Sequence, residues 1–504
     1  MNMIVARHRT AVTRYRLSRP MKLAIGDGLV GEHHDLFDYG CGHGDDLRIL
    51  ASEGVRCTGW DPVHRPSGGV RSADVVNLGY VVNVVEDPEE RATALHKAWA
   101  LARKVLVVAA RLTLEKGAKR GAPCGDGCLT GRQTFQKFYE QHELRDWIDV
   151  TLGASAVAAA PGVFYVFRDA SMAQLFLASR YRRRVGAPRQ RRSERVFDEH
   201  RTLLQGLMQF VTERGRLPEE GEFEFLGVIR EKIGGVRRAW RLIEQVTGAG
   251  DWARIREQRS QDLLIYLALA RFGGRPRFAE LSRDLRLDVR AFFGTYSQAC
   301  GEADRLLFSS GDLAAVDKAC ESAPVGKLTP TALYIHVSAL GSLSAILRVY
   351  EGCARSYIGV VEAANIVKLH RRKPQISYLS YPTFEKDAHP ALLGALVVPL
   401  RTFHVDYRDY SSSENPPILH RKEEFVAADH PLRPRFTKLT EQEERAGLYQ
   451  TPETIGTREG WQAILDGRGI DIRGHRVARR SVRDLARDHL ASPQGPISVE
   501  ANRA

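Results

Sequence analysis

The chain has 504 residues, with 74 Lys and Arg against 61 Asp and Glu and a formal net charge of +13. Hydrophobic residues make up 43% and charged residues 27%, which excludes a wholly disordered chain, a collagen-like fibre and a disulfide miniprotein. At roughly 100–200 residues per domain, the length predicts about three domains.

A membrane span is not expected. The charge-free stretch from Thr151 to Phe167 is broken by Pro161-Gly162, and Ala391 to Leu400 is shorter; a span takes about 20 apolar residues. The basic start (Arg7, Arg9, Arg14, Arg16) has no apolar run behind it, so it does not read as a secretory signal. Seven scattered cysteines point to reduced thiols and a cytoplasmic protein. The positive balance is compatible with a polyanionic partner and gives no reason to expect a membrane.

In chain order, the first segment alternates short apolar runs with helical patterns, as an α/β sheet does. Leu36 to Asp38 closes a strand, Gly40 to Gly44 turns the chain, and Asp45 to Glu53 is a helix ended by Gly54. Val55 to Asp61 and Asp74 to Leu78 are further strands. Asp87-Pro88-Glu89-Glu90 is an N-cap, a proline at the first helical position and acids in the first turn, and its helix runs to about Ala102. Lys104 to Ala110 is a buried strand. A helix is expected near Thr134 to Ile148, then two strands around Ala156 to Phe167. From Arg180 to Arg195 eight of sixteen positions are arginine; Arg182, Arg183 and Arg184 are the densest part. The strip reads either as a hinge or as a row of phosphate contacts.

Helices follow over Arg201 to Arg214, Glu224 to Gln245 and Ser260 to Arg271. A long amphipathic helix is expected from about Pro330 to Arg348, opening a mixed α+β module. The boundaries expected are 1–175 for the α/β domain, 176–195 for the Arg-rich linker, 196–327 for a helical domain, 328–480 for the α+β module and 481–504 for a polar tail.

The chemistry concentrates in Asp38-Tyr39-Gly40-Cys41-Gly42-His43-Gly44-Asp45. A strand that feeds straight into a helix needs a tight turn, and glycine admits both the turn and the close approach of a ligand to the backbone. The helix behind it offers free N–H groups. Asp61, 21 positions after Gly40, stands at the end of the next strand, where an acid accepts from ribose hydroxyls. The loop is G-x-G-x-G, not the dinucleotide pattern G-x-G-x-x-G.

With Asp38 two residues upstream, the loop resembles the first motif of class I S-adenosylmethionine-dependent methyltransferases. The resemblance extends to Leu17-Ser18-Arg19-Pro20, Gly59-Trp60-Asp61-Pro62, Asp74 to Val81, Glu89-Glu90-Arg91, Thr134 to Tyr139, Asn365 to Leu379 and Pro416 to Glu423. Taken together these are similar to the DNA phosphorothioation-associated methyltransferases over nearly the full chain. The resemblance implies a Rossmann-like class I methyltransferase sheet with a long C-terminal extension, S-adenosyl-L-methionine as cofactor, DNA as partner, and contact with other proteins of a phosphorothioation system. It places Asp38, Gly40, Gly42 and Gly44 in the cofactor loop and Asp61 on the ribose. Only twelve residues, 62–73, separate Asp61 from Asp74, so the strand that family members carry there is shortened or missing.

The methyl acceptor is expected beside Asn77-Leu78-Gly79-Tyr80. DNA amino-methyltransferases place Asn or Asp, Pro-Pro and an aromatic there; here Asn77 and Tyr80 match in type and spacing, and Leu-Gly replaces Pro-Pro. Asn415-Pro416-Pro417-Ile418 spells part of that motif but reads as a turn. Cys124, Cys128 and His142 are too loosely spaced for zinc, and no metal is expected. Phe135, Lys137, Phe138 and Tyr139 read as an amphipathic helix or as a cover for the cofactor. Two further readings stay open: a non-catalytic DNA-binding or regulatory component on the same scaffold, and methylation of RNA or a small molecule.

Overall fold

The computed structural model describes residues 5–115, 121–183, 195–451 and 453–480. The chain forms two compact units. The first comprises residues 1–321, 343–362 and 399–405, and the second 322–342, 363–398 and 406–504.

The first unit is built on a six-stranded α/β sheet. Its strands are β1 (Asp35–Tyr39), β2 (Arg56–Trp60), β3 (Ala73–Gly79) and β4 (Ala102–Ala109), then β8 (Ala156–Ala160) and β9 (Val163–Phe167). A small separate sheet holds β5 (Ala122–Cys124), β6 (Gly127–Leu129) and β7 (Phe135–Gln136). The order in the main sheet is β2-β1-β3-β4-β9-β8. The first four are parallel, and β9 and β8 are added antiparallel. In chain order no strand lies between β2 and β3, as the short 62–73 segment leads one to expect.

Alternation along the strands sends side chains to two faces. Phe37, Val76, Leu106, Val108 and Phe164 pack with Leu95 and Ala98 of helix α3 (Pro88–Leu101) and Leu144 and Ile148 of α4 (Gln141–Leu152). On the other face, Leu36, Val75, Val105, Val107 and Tyr165 meet α1 (Arg19–Gly26), α2 (Asp45–Ser52) and α5 (Ala170–Arg180). Covering both faces is what allows the strands to be apolar throughout. The Asp87 side chain accepts from the Glu89 N–H at 2.9 Å and starts α3.

Three expected elements differ. The helix placed at Thr134 begins at Gln141, because the Glu140 N–H donates to Glu143 Oε2 at 3.1 Å and closes a reciprocal cap there. Phe135 lies instead in β7, and both it and Tyr139 are core residues. The helix expected over Glu224 to Gln245 is two helices, Leu226–Ile233 and Val236–Thr247. They break at Gly234-Gly235, where φ is +91° and +123°.

The third difference is in the second unit. Its sheet runs in chain order through β10 (Lys327–Leu328), β11 (Ala332–His336), β12 (Ile366–His370), β13 (Gln375–Ser380), β14 (Gly394–Pro399) and β15 (Asp406–Asp409). Residues expected to open a long helix at Pro330 therefore form β11, and the helix begins only at Ala345. A short apolar run has no decisive period of its own; pairing of Ala332 through His336 with His370 through Ile366 settles it. Helices Arg433–Arg445 and Arg458–Arg468 complete the unit. The polar tail, 481–504, lies outside the described residues.

Phe164, on β9 of the main sheet, is fully buried. Phe164→Ala should cost about 3–5 kcal/mol, read as a lowered urea midpoint; an unchanged midpoint would show that the sheet core does not limit stability.

Candidate functional site

Strands β1, β2 and β3 end at one edge of the sheet, over a cavity of about 290 Å³. Asp38, Gly40, Gly42, Asp61, Asn77 and Tyr80 all line it. The sequence-predicted loop, acid and acceptor pair are thus brought to one place. Gly44 is not on the wall; it stands before α2 with φ +79°.

The turn leaves little room for side chains. At Gly40, with φ +84°, an added Cβ would lie 2.4 Å from Val81 Cγ2. The Gly40 N–H donates to the Trp60 carbonyl at 2.8 Å, which holds the turn against the end of β2. Asp61 tightens the same corner. Its Oδ2 accepts from the Gly42 N–H at 3.0 Å, and its Oδ1 accepts from the N–H groups of Val63 (2.9 Å) and His64 (2.8 Å). A carboxylate has about four acceptor sites, so Oδ2 keeps one open.

The floor is polar and buried. Asn77 Nδ2 donates to Asp38 Oδ1 at 2.7 Å, and both residues are at most 5% exposed. Asn77 Oδ1 is buried without a partner among the described residues. An orphaned acceptor of this kind costs about 1–3 kcal/mol. Burial first, and the nearby Asp46 charge second, push the Asp38 carboxyl up to about 7. Burial also raises the Tyr80 hydroxyl and pushes the Cys41 thiol up to about 12. Cys41 is therefore a neutral thiol at physiological pH and no nucleophile. Tyr80 has φ +61°, a left-handed value unusual for an aromatic residue.

Acids outnumber bases on the wall. Asp38, Asp45, Asp46, Asp61 and Glu90 face Arg7 and Arg14. Arg7 is itself gripped by Glu86 and Glu90, at 2.9 and 2.7 Å. A phosphate would be repelled by this net negative charge; a cation with hydroxyl groups would be attracted.

Sequence reading missed the cover of this cavity. Arg7, Thr10, Ala11, Val12 and Arg14 form one wall, with the Arg14 N–H donating to Asp45 Oδ2 at 2.7 Å. The basic N-terminus was its visible sign, but the partners Glu86 and Glu90 are far along the chain.

The other candidates lie elsewhere. Arg183 donates its backbone N–H to Asp262 at 3.0 Å and its guanidinium to Gln261, also at 3.0 Å. Asp262 also holds Arg348 at 2.6 Å and Arg259 at 3.2 Å. Arg182 is half-buried beside Arg214 and Asp288, and Arg184 lies outside the described residues. Cys124 and Cys128 flank a hairpin whose Asp126 meets Arg91 at 2.5 Å and Lys137 at 2.9 Å. No cluster of metal-binding side chains occurs among the described residues. Asn415 accepts from the Glu459 N–H at 2.9 Å, as a turn residue does.

No family model and no curated protein matches this chain. Some solved structures do. One is the 1,6-didemethyltoxoflavin-N1-methyltransferase of Burkholderia thailandensis with bound 1,6-didemethyltoxoflavin and S-adenosylhomocysteine; identity is 16%, 32% of this chain and 78% of that chain are covered, and the TM-score is 0.22. Another is the magnesium protoporphyrin IX methyltransferase of Synechocystis PCC 6803 with bound S-adenosylhomocysteine, at 15% identity, 32% and 93% coverage and a TM-score of 0.23. Superpositions this loose set no role for any residue here.

Asp38 gives a stability test. Its folded pKa of about 7 exceeds the ordinary 3.8, so the native state holds this proton more tightly than the unfolded chain. Its contribution is greatest at acid pH and is lost as pH rises from about 4 through about 7. Asp38→Asn keeps an acceptor for Asn77 and removes the titration. Urea unfolding at pH 5 and pH 8 should show wild type losing more stability than the variant; equal losses would rule out a titrating Asp38.

Proposed function

We propose that the chain is an S-adenosylmethionine-dependent methyltransferase of the class I, Rossmann-like type, with its cofactor in the cavity over Gly42. The observation that carries this reading is the combination of a glycine-rich strand-to-helix turn with an acid-rich wall and the buried Asp38–Asn77 pair. The wall suits a ligand that is cationic and rich in hydroxyl groups. When bound, the cofactor supplies a methyl group already activated by its sulfonium.

The protein's own tasks follow from the site. Gly40 and Gly42 admit the ligand against bare backbone, and the open acceptor site on Asp61 Oδ2 takes a ribose hydroxyl. Asn77 Oδ1 takes an N–H of an amine acceptor, next to the ring of Tyr80. A neutral amine needs that alignment and exclusion of water more than it needs a strong base. The Arg7 and Arg14 segment provides the exclusion.

The finer reading, methylation of DNA within a phosphorothioation system, is supported by the resemblance of the motifs alone, and a cytoplasmic site of action by the scattered cysteines alone. No described helix is long and apolar enough to cross a membrane, and no disulfide joins any two of the seven cysteines. The test is transfer of labelled methyl from S-adenosylmethionine by the full chain to duplex DNA, phosphorothioated duplex DNA, RNA or small molecules. Label is expected in DNA, lost in Gly42→Asp and reduced about 100-fold in Asn77→Ala. Label only in RNA or small molecules would remove the DNA reading. No cofactor binding at millimolar concentration would leave a non-catalytic scaffold.

A further inference from the structure

The second unit contains a cavity of about 830 Å³, independent of the methyltransferase reading. Its wall includes Lys386, His389, Arg458, Trp461, Asp471 and Arg473. Lys386 and Arg458 are exposed, and neither meets a carboxylate among the described residues. Asp471 is held by Arg480 at 2.6 Å. Asp387 is a second acid of the wall, so the wall's uncommitted positive charge is that of Lys386 and Arg458.

What lies behind the wall is more unusual. Glu443 is 1% exposed and Lys422 2%. Glu443 Oε1 lies 2.8 Å from His389 Nε2, at ion-pair distance but not aligned as a hydrogen bond. Its other oxygen accepts from the Tyr449 hydroxyl at 2.5 Å. Lys422 Nζ donates to the Phe384 carbonyl at 2.7 Å, to the Asp387 carbonyl, and approaches His475 Nε2 at 3.1 Å. Lys422 thus pins the segment that carries Lys386 and His389, and Glu443 fixes the imidazole. With Nε2 turned to Glu443, Nδ1 is the ring nitrogen left for the cavity.

Burying two such charges costs several kcal/mol each unless they are well paired. A plain structural core has no need of them. Here they are spent on holding one side of a cavity in place, as positioning residues of a binding site are. The volume falls in the range of small-ligand pockets, about 300–1,000 Å³.

We propose that this cavity binds a small phosphate monoester of about nucleotide size, with Lys386 and Arg458 on the phosphate. Charge-assisted bonds to phosphate are the strong class of hydrogen bond, and both cations belong to the same wall.

The experiment is calorimetric titration of the full chain with uridine 5′-monophosphate and inorganic phosphate, beside anisotropy with a fluorescent 12-nucleotide strand. Uridine avoids confusion with an adenosyl pocket. Saturable binding of the monophosphate is expected, weakened at least about tenfold in Lys386→Ala and in Arg458→Ala. It should be unchanged in Arg445→Ala, an exposed cation of the same unit outside the wall, and in Gly42→Asp. Loss in Gly42→Asp would instead put the ligand in the first cavity and overturn the proposal. Equal weakening by Arg445→Ala would reveal general attraction to a basic chain and overturn it too. So would binding of the strand alone, or no saturable binding at millimolar monophosphate.

Discussion

The hydrogen bond from the Gly42 N–H to the Asp61 carboxylate joins the glycine turn to the end of β2. It fixes the geometry on which the first site depends. The turn must pass close to β3, since Gly40 has no space for a Cβ against Val81. The proposed ligand also requires bare main chain at Gly42, where an added Cβ would lie 3.2 Å from Ala11. Asp61 reconciles these demands. Three N–H donors hold its carboxylate, so the corner is rigid without any bulky side chain filling it. The parallel sheet supplies the rest: three strands end at the same edge, and helices on both faces keep that edge in place.

Both units place polar groups in low-dielectric surroundings next to a cavity. In the first, Asp38 and Asn77 satisfy each other only in part, and Asn77 Oδ1 is left over. In the second, Lys422 and Glu443 lie behind the wall. Desolvation of the ammonium lowers the Lys422 pKa to about 7, while its carbonyl contacts tether the wall segment. Contrast the Asp262 network, where Arg183, Arg259 and Arg348 converge on one carboxylate. That cluster faces charge with opposite charge and ties the arginine strip to the helical part of its unit.

The strands of the main sheet were readable because they are apolar runs bounded by Gly, Asp and Pro, and the acid after β2 was readable from its spacing. The missing strand was readable too, since 62–73 is too short to cross a sheet and return. What escaped were features made by long-range pairing. The N-terminal cover is latched by Arg7 to Glu86 and Glu90, and no local pattern announces that. Ala332 to His336 has helical-looking periodicity with its neighbours, and only β12 makes it a strand. His389 and Glu443 meet across the second unit, so neither looks special in its own stretch. His420-Arg421-Lys422 is a run of basic residues in sequence, yet His420 and Lys422 are buried.

The central claim is that the cavity over Gly42 is built for an adenosyl ligand. A crystal structure of the full chain soaked with S-adenosylhomocysteine tests it most directly. The account predicts the ligand against the Gly40–Gly42 backbone, with a ribose hydroxyl on Asp61 Oδ2 and Ala11 displaced or packed over it. Ligand density at any other place, or a cavity still closed over Gly42 at saturating ligand, would contradict it.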